Sequence, residues 1–295
     1  MKPSVVIAAH NEGSVIGRCL DALLSNTAPG EFDVTVVANG CTDDTAAVAS
    51  ARAGVRVVNL AQAGKPGALN AGDRAAAGFP RVYLDADVVV TSDGLREIVA
   101  ALGPDRPAAV PRRELELTGR PVPVRAFYAI NSRLPVYRDG LFGRGLIALS
   151  EAGRARFDEF PDQIADDLFL DSLFSPEEKV EVGTVTTRIT TPRRTGDLVR
   201  RLVRVRRGNA AMRRAAADGV VAARVRPAAR FSWFSDVVLP RPWLAPAAAC
   251  YVLITATAAL AARRAAGRGH GWERDDSSRR PAPGPASRAS AEGRR

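Results

Sequence analysis

Short apolar runs alternate with amphipathic stretches through the first hundred residues. Ser4–Ala9 (SVVIAA) is a continuous, mostly apolar run, as expected of a strand buried on both faces. Val15, Ile16, Cys19, Leu20, Leu23 and Leu24 then recur at helical spacing. Residues 33–38 (DVTVVA), Val55–Leu60 and Arg81–Leu84 read as three further strands. Between them the pattern predicts a helix capped by Thr42 or Asp43 and running to about Ala53, and another over 66–77 with Pro66 in its first turn. Ser92 is placed to cap a fourth helix ending near Leu102. The order βαβαβαβ predicts an α/β fold with a doubly wound, mostly parallel sheet, whose ligands gather at the carboxyl ends of the strands.

Beyond residue 105 the pattern loosens, and prolines 104, 107, 111, 121, 123 and 135 interrupt it. Residues 141–150 (LFGRGLIALS) read as a strand with a glycine break, 165–174 as a short helix, and Thr195–Ala217 as an arginine-studded helix. Residues 244–262 carry no charge, follow Trp243 and precede Arg263 and Arg264. That is long enough to span a bilayer as a helix, with flanks suited to the interfaces; a buried core helix is the alternative. Residues 267–295, rich in Arg, Ser, Pro and Gly, read as a disordered basic tail. The expected division is a domain over 1–235 in two halves (1–105 and 106–235), then a hydrophobic C-terminal helix (236–266) and the tail.

Composition narrows the chemistry. Hydrophobic residues make up 46% of the 295, so a sizeable core is available. Cys19, Cys41 and Cys250 lie far apart, which suits neither a disulfide framework nor a zinc site. With only His10 and His270, a histidine-based mechanism has little to draw on. The net charge of +10 is local: residues 1–110 hold nine Lys/Arg against twelve Asp/Glu, whereas 188–230 hold thirteen Arg against Asp197 and Asp218. That stretch lacks interleaved aromatics, so no nucleic acid is expected as a partner, and anionic lipid or a phosphorylated ligand remains. The apolar run after Met1 is too short for a secretory signal.

Four segments could carry chemistry. Asp85-Ala86-Asp87 closes the fourth strand with two hard oxygen donors, suited to Mg²⁺ or Mn²⁺ bearing a diphosphate, or to a solvated turn were it not at the ligand end of a parallel sheet. Asp166-Asp167 could take a proton from an attacking hydroxyl, or equally form an N-terminal helix pair that favours the dipole. Gly64 to Asn70 (GKPGALN) sets Lys65 in a glycine-bounded loop before a helix, without the Gly-Lys-Ser/Thr of a P-loop. Arg200, Arg201, Arg204, Arg206 and Arg207 could bind diphosphate or form a solvated face near acidic lipid.

Together these segments resemble the family 2 glycosyltransferases of the GT-A fold. The opening VVIAAHNE (5–12) looks like that family's first motif, VVANGCTDDT (36–45) like its second, GKPGALNAG (64–72) like its third, and YLDAD (83–87) like its Asp-x-Asp segment. Asp166-Asp167 stands where the family usually has Glu-Asp. The resemblance spans about residues 4–210. It implies an inverting transfer of a sugar from a nucleotide-diphospho-sugar to an acceptor hydroxyl, with Mg²⁺ or Mn²⁺ as cofactor. Ala9 and Glu12 would border base and ribose, Asn39 would sit against the base, and Lys65 and Asn70 would line the nucleotide site. Asp85 would face ribose or metal-bound water, Asp87 would bind the metal, and Asp167 would be the catalytic base supported by Asp166. Gly143-Arg144-Gly145 would shape the acceptor side.

Two departures matter. The second motif often begins Asp-Asp but reads Ala38-Asn39 here, and the family's later Gln-x-x-Arg-Trp is only echoed by Arg204 to Arg207, which favours single-sugar transfer over a processive polymerase. An oxidoreductase would need Gly-x-Gly-x-x-Gly after the first strand, which His10-Asn11-Glu12-Gly13 does not supply. A sugar-phosphate nucleotidyltransferase and an inactive membrane scaffold are the other readings. The expected setting is the cytoplasmic face of the cell membrane, with a lipid-linked or saccharide acceptor in envelope, exopolysaccharide or glycolipid synthesis.

Overall fold

The computed structural model describes residues 2–162, 165–218 and 231–264. The first part alternates as the apolar pattern predicts: β1 (Ser4–Ala9), α1 (Gly13–Leu23), β2 (Asp33–Asn39), α2 (Thr45–Ser50), β3 (Val55–Leu60), α3 (Lys65–Ala75), β4 (Arg81–Leu84) and α4 (Ser92–Ala100). Then come β5 (Ala108–Glu116), α5 (Val122–Asn131), β6 (Leu146–Leu149), α6 (Glu151–Arg154), α7 (Asp166–Ser172), β7 (Lys179–Thr190), α8 (Thr195–Ala217) and α9 (Ala245–Arg264). The tail expected over 267–295 lies outside the described residues.

The strands form one sheet in the order β3-β2-β1-β4-β6-β5-β7. β1 pairs in parallel with β2 and β4, and β2 with β3, while β6 runs antiparallel to β4 and β5. β1 shows why its sequence is apolar throughout. Val5 and Ile7 pack in one cluster with Ile16, Leu20 and Leu95, whereas Val6 joins Leu69, Tyr83 and Phe160 on the other side.

Several elements depart from the expectations. Thr91, not Ser92, caps α4, its hydroxyl accepting from the Gly94 N–H at 3.2 Å. α2 ends at Ser50, and the glycine-interrupted run 141–150 yields only the four-residue strand β6, because Gly143 and Gly145 turn the chain first at φ +69° and +73°. The apolar pattern does not predict β5, α5 or β7. Pro111 sits where the β5–β7 register slips from Val182 to Thr186, a bulge in which the missing N–H costs no ladder bond. Pro121 and Pro123 stand at the start of α5, where proline is tolerated.

α9 packs one stripe, Ala248, Tyr251 and Ile254, against α5 and α8; the Tyr251 and Phe127 rings stack at 5.2 Å. Its other side leaves Leu253, Leu260 and the preceding Trp243 exposed. Within the helical segment Pro242–Arg264 an 18-residue window has mean hydropathy 1.8, and the helix is long and apolar enough to cross a membrane.

A buried ion pair ties α7 to β7. Lys179 Nζ lies 2.7 Å from Asp171 Oδ1, and the same carboxylate accepts the Leu141 N–H at 2.8 Å. Asp171→Ala leaves the ammonium buried without this carboxylate, at an expected cost of roughly 3–5 kcal/mol. A urea unfolding curve should show the midpoint fall with little change in slope.

Candidate active site

The tips of β1 and β2 are tied to each other before any ligand arrives. Asn39 is fully buried; its Nδ2 donates to the carbonyls of Ala9 (2.8 Å) and Val37 (3.3 Å), and its Oδ1 accepts the Gly64 N–H (3.0 Å). His10 Nδ1 lies 2.7 Å from the Asn39 carbonyl, so that nitrogen carries the proton. Asn11, at φ +52°, accepts the Thr42 N–H at 2.7 Å, and Asp43 accepts those of Gly13 and Thr45, both at 3.1 Å. Glu12 is largely buried and precedes α1, its N–H donating to Thr45 Oγ1 at 2.7 Å. Gly40, at φ +57°, has no room for a side chain, because a Cβ would come within 2.7 Å of the Ala63 backbone nitrogen.

Asn39 and Asn70 are both held by the chain's own backbone. Asn39 fastens strand tips to the Gly64 loop and shows the base no free edge. Asn70 forms a pair of bonds with the backbone of Phe160, Nδ2 to the carbonyl at 3.0 Å and Oδ1 from the N–H at 2.7 Å. Both amides are buried and engaged by main chain, so what they contribute is loop shape. Ala9 is likewise buried, its carbonyl held by Asn39.

Lys65, at the start of α3, is the hub. Its Nζ lies 2.8 Å from Asp85 Oδ1 and 2.9 Å from Asp166 Oδ2, so one ammonium joins the end of β4 to the start of α7. Burial alone would lower its pKa, but the carboxylates of Asp166 and Asp85 hold it well above the ordinary lysine value. Asp85 begins a turn, with its N–H donating to the Gly145 carbonyl at 2.8 Å and its own carbonyl accepting from Val88 at 3.1 Å.

Asp87 is exposed in that turn. The buried Cys19 thiol senses both turn carboxylates: burial first, then the negative Asp87 and Asp85, push it up to about 12. Among the described residues no group of three or more His, Cys, Asp or Glu is arranged to hold a metal. Two hard carboxylates at one turn nevertheless fit a divalent cation that takes its remaining oxygens from a diphosphate and water.

Asp167 lies beside this cluster. Its Oδ2 accepts the Gly143 N–H at 3.2 Å and its Oδ1 the Leu168 N–H at 2.8 Å. Burial, then the negative charge of Asp166, push it up to about 6, although Lys65 pulls the other way. A carboxyl near 6 is ionised at neutral pH yet basic enough to take a proton. Gly145 lets this turn press onto Val88, since a Cβ there would come within 2.3 Å of the valine methyl.

Arg144 between the two glycines is buried, donating to the carbonyls of Gly140, Pro111 and Tyr137 and pairing with Glu181, so it builds the turn. Of the α8 arginines, Arg200 pairs with Asp197 and Arg201 lies 3.4 Å from the Thr190 carbonyl. The structure thus gathers Lys65, Asp85, Asp166 and Asp167 and sets Asp87 on the same turn, with Asn39 and Asn70 framing the loops. The sequence motifs do not predict the bonds from Asn11 and Asp43 that join the first two loops. The available signal is an Asn before a helix, in a conformation that Asn tolerates better than most residues.

The sequence model for glycosyl transferase family 2 matches residues 4–132. No curated protein matches the chain in sequence. Among solved structures, a mannosyltransferase from Pyrobaculum calidifontis, in complex with GDP-Man and Mn²⁺, is 21% identical, with a TM-score of 0.57 over 90% of this chain and 79% of that one. TarS 1-349 from S. aureus, in complex with UDP, is 16% identical, with a TM-score of 0.51 over 94% of this chain and 95% of that one. Residues 4–132 thus match glycosyl transferase family 2 in sequence, and the fold of the chain is that of the GT-A glycosyltransferases.

Proposed function

We propose that the chain moves a sugar from a nucleoside-diphosphate donor to an acceptor hydroxyl, inverting the anomeric centre, with Asp167 as base. The observation that carries this reading is the cluster at the strand ends: Lys65 between Asp85 and Asp166, with Asp167 raised to about 6 beside it. The GDP-Man, UDP and Mn²⁺ of the two similar structures add support for the donor class.

In this reading Ala9, Glu12 and the loop framed by Asn39 and Asn70 border the nucleoside. Asp87, with Asp85, would hold Mg²⁺ or Mn²⁺, which neutralises charge on the departing diphosphate. Lys65 adds a fixed positive charge to the site while it positions both carboxylates. Asp167 takes the acceptor proton as the acceptor oxygen bonds to the anomeric carbon. The bond from that carbon to the diphosphate oxygen breaks, and its electron pair leaves with the nucleoside diphosphate. Asp166 orients Lys65 and, by its charge, keeps Asp167 basic. α9 would hold the enzyme at the inner membrane face, its exposed Trp243, Leu253 and Leu260 turned to lipid, within reach of acceptors used in glycolipid or envelope synthesis.

The test is nucleoside diphosphate release from UDP-, GDP- and dTDP-sugars, with the anomeric configuration of the product read by NMR. One donor consumed with inversion supports the proposal; retention, or no donor consumed by folded enzyme, overturns it.

A second expected outcome follows from Lys65. Its positive charge lowers the Asp167 pKa, so Lys65→Met should raise it. Because the base works ionised, the acid limb of the rate profile, near pH 6 in the parent enzyme, should move to higher pH. An unmoved limb would show that Asp167 does not set it.

A further inference from the structure

Next to the Gly143 turn lies a cleft of about 520 Å³ that none of the assigned residues explains except Arg144. Its charged lining is Arg112, Arg113 and Glu114 of β5, Arg133 and Arg138 beyond α5, Arg144 and Glu181, with Glu114 paired to Arg188 at 3.5 Å. Glu181 pairs with Arg144 and, at 3.5 Å, with Arg112. Among the described residues, Arg113, Arg133 and Arg138 have no carboxylate partner.

Arg113 is the telling residue. Its guanidinium stacks on the Tyr137 ring at 3.8 Å, and its Nη2 is buried with no hydrogen-bond partner among the described residues. Leaving a buried guanidinium N–H unmade is costly, so such a group is poised for an acceptor that a ligand brings. Burial lowers its pKa, with Tyr137 opposing that shift and Arg144 adding to it. Its Nη1 lies 3.5 Å from where a Cβ on Gly143 would stand, and the Gly143 N–H holds Asp167.

We propose that this cleft binds a phosphate group carried by the acceptor, with Arg113, Arg133 and Arg138 closing on its oxygens. Three unneutralised guanidinium forks suit a multiply charged oxyanion better than a single carboxylate. The phosphate is a handle and not the nucleophile, since it sits across the Gly143 turn from Asp167. A second, mostly apolar cavity of about 530 Å³ runs along α5 past Val122, Ala126 and Ala129 and shares Leu117, Ser132 and Arg133 with the first. That continuity would let a lipid chain extend from the phosphate along α5. As an acceptor site the cleft rests on the transferase reading; as an anion site it does not.

The experiment titrates the full chain with glycerol 3-phosphate and, separately, with phosphatidylcholine vesicles made with and without phosphatidic acid. Expected is saturable binding of at least one phosphate, weakened about tenfold or more in Arg113→Gln and in part recovered in Arg113→Lys. Arg138→Gln, at an exposed position, should weaken it too and carries the test if Arg113→Gln fails to fold. A preference for phosphatidic acid, over vesicles lacking it and over glycerol 3-phosphate, identifies a lipid phosphate; binding of glycerol 3-phosphate alone identifies a soluble one. Binding of neither, or binding indifferent to both substitutions, overturns the proposal. Nucleotide-sugar titrations of the same proteins keep the two readings apart: donor binding without phosphate binding sinks only this inference, and phosphate binding without donor binding sinks the transferase mechanism and leaves an anion site.

Discussion

Asp167→Asn should lower turnover by about 10³-fold while nucleotide-sugar affinity stays within a few-fold of the parent. The amide keeps the shape of the carboxylate, and its single oxygen can still accept one of the two N–H groups, of Gly143 or Leu168, that the two carboxylate oxygens accept. It cannot accept the acceptor proton. Stability should not fall with activity. A carboxyl raised to about 6 favours its neutral form in the folded state, so its contribution is present at acid pH and lost as pH rises through 6. A neutral amide escapes that loss, which offsets the one hydrogen bond given up, so at about pH 7 the Tm of the variant should stay close to that of the parent. Asp166→Asn should be milder on turnover, because it removes a neighbour of Lys65 and not the proton acceptor. Retained turnover in Asp167→Asn with loss in Asp166→Asn would exchange the two roles.

Asp87→Ala should reduce kcat/KM on the order of 10²- to 10³-fold and remove the dependence on Mn²⁺. Asp87 is exposed in the turn after β4, so its loss opens no cavity and the fold should melt unchanged. Asp85 is less able to substitute for it, because Lys65 already engages that carboxylate at 2.8 Å. Kinetics over a range of Mn²⁺ concentrations distinguish the cases: a parent enzyme that needs the ion beside a variant that ignores it supports the role, and equal dependence in both refutes it.

How much of the fold is legible in the sequence depends on burial. β1, β2 and β4 lie inside the sheet with both faces covered, and their continuous apolar runs mark them. β5 and β7 are half exposed and carry alternating charge, and Pro111 in β5 hides a bulge that only the paired strand reveals. The prolines that begin α5 resemble interruptions for the same reason. In the site, Lys65, Asp85, Asp166 and Asp167 stand in short motifs, one at the end of β4 and three in the first turns of α3 and α7. The bonds of Asn39 and Asn70 are not legible there, because their partners are main-chain atoms, one of them 90 residues away, which no local pattern encodes. Arg113 leaves no signature at all, since its isolation from carboxylates is a property of the folded cleft.

The most direct measurement is calorimetric titration of the purified chain with UDP-, GDP- and dTDP-sugars, with and without Mn²⁺. Saturable binding of one donor that requires the ion, disappears in Asp87→Ala and persists in Asp167→Asn is the expected result. Absence of binding to every donor by folded protein, or binding equally tight without metal and in Asp87→Ala, would contradict the donor site at the strand ends.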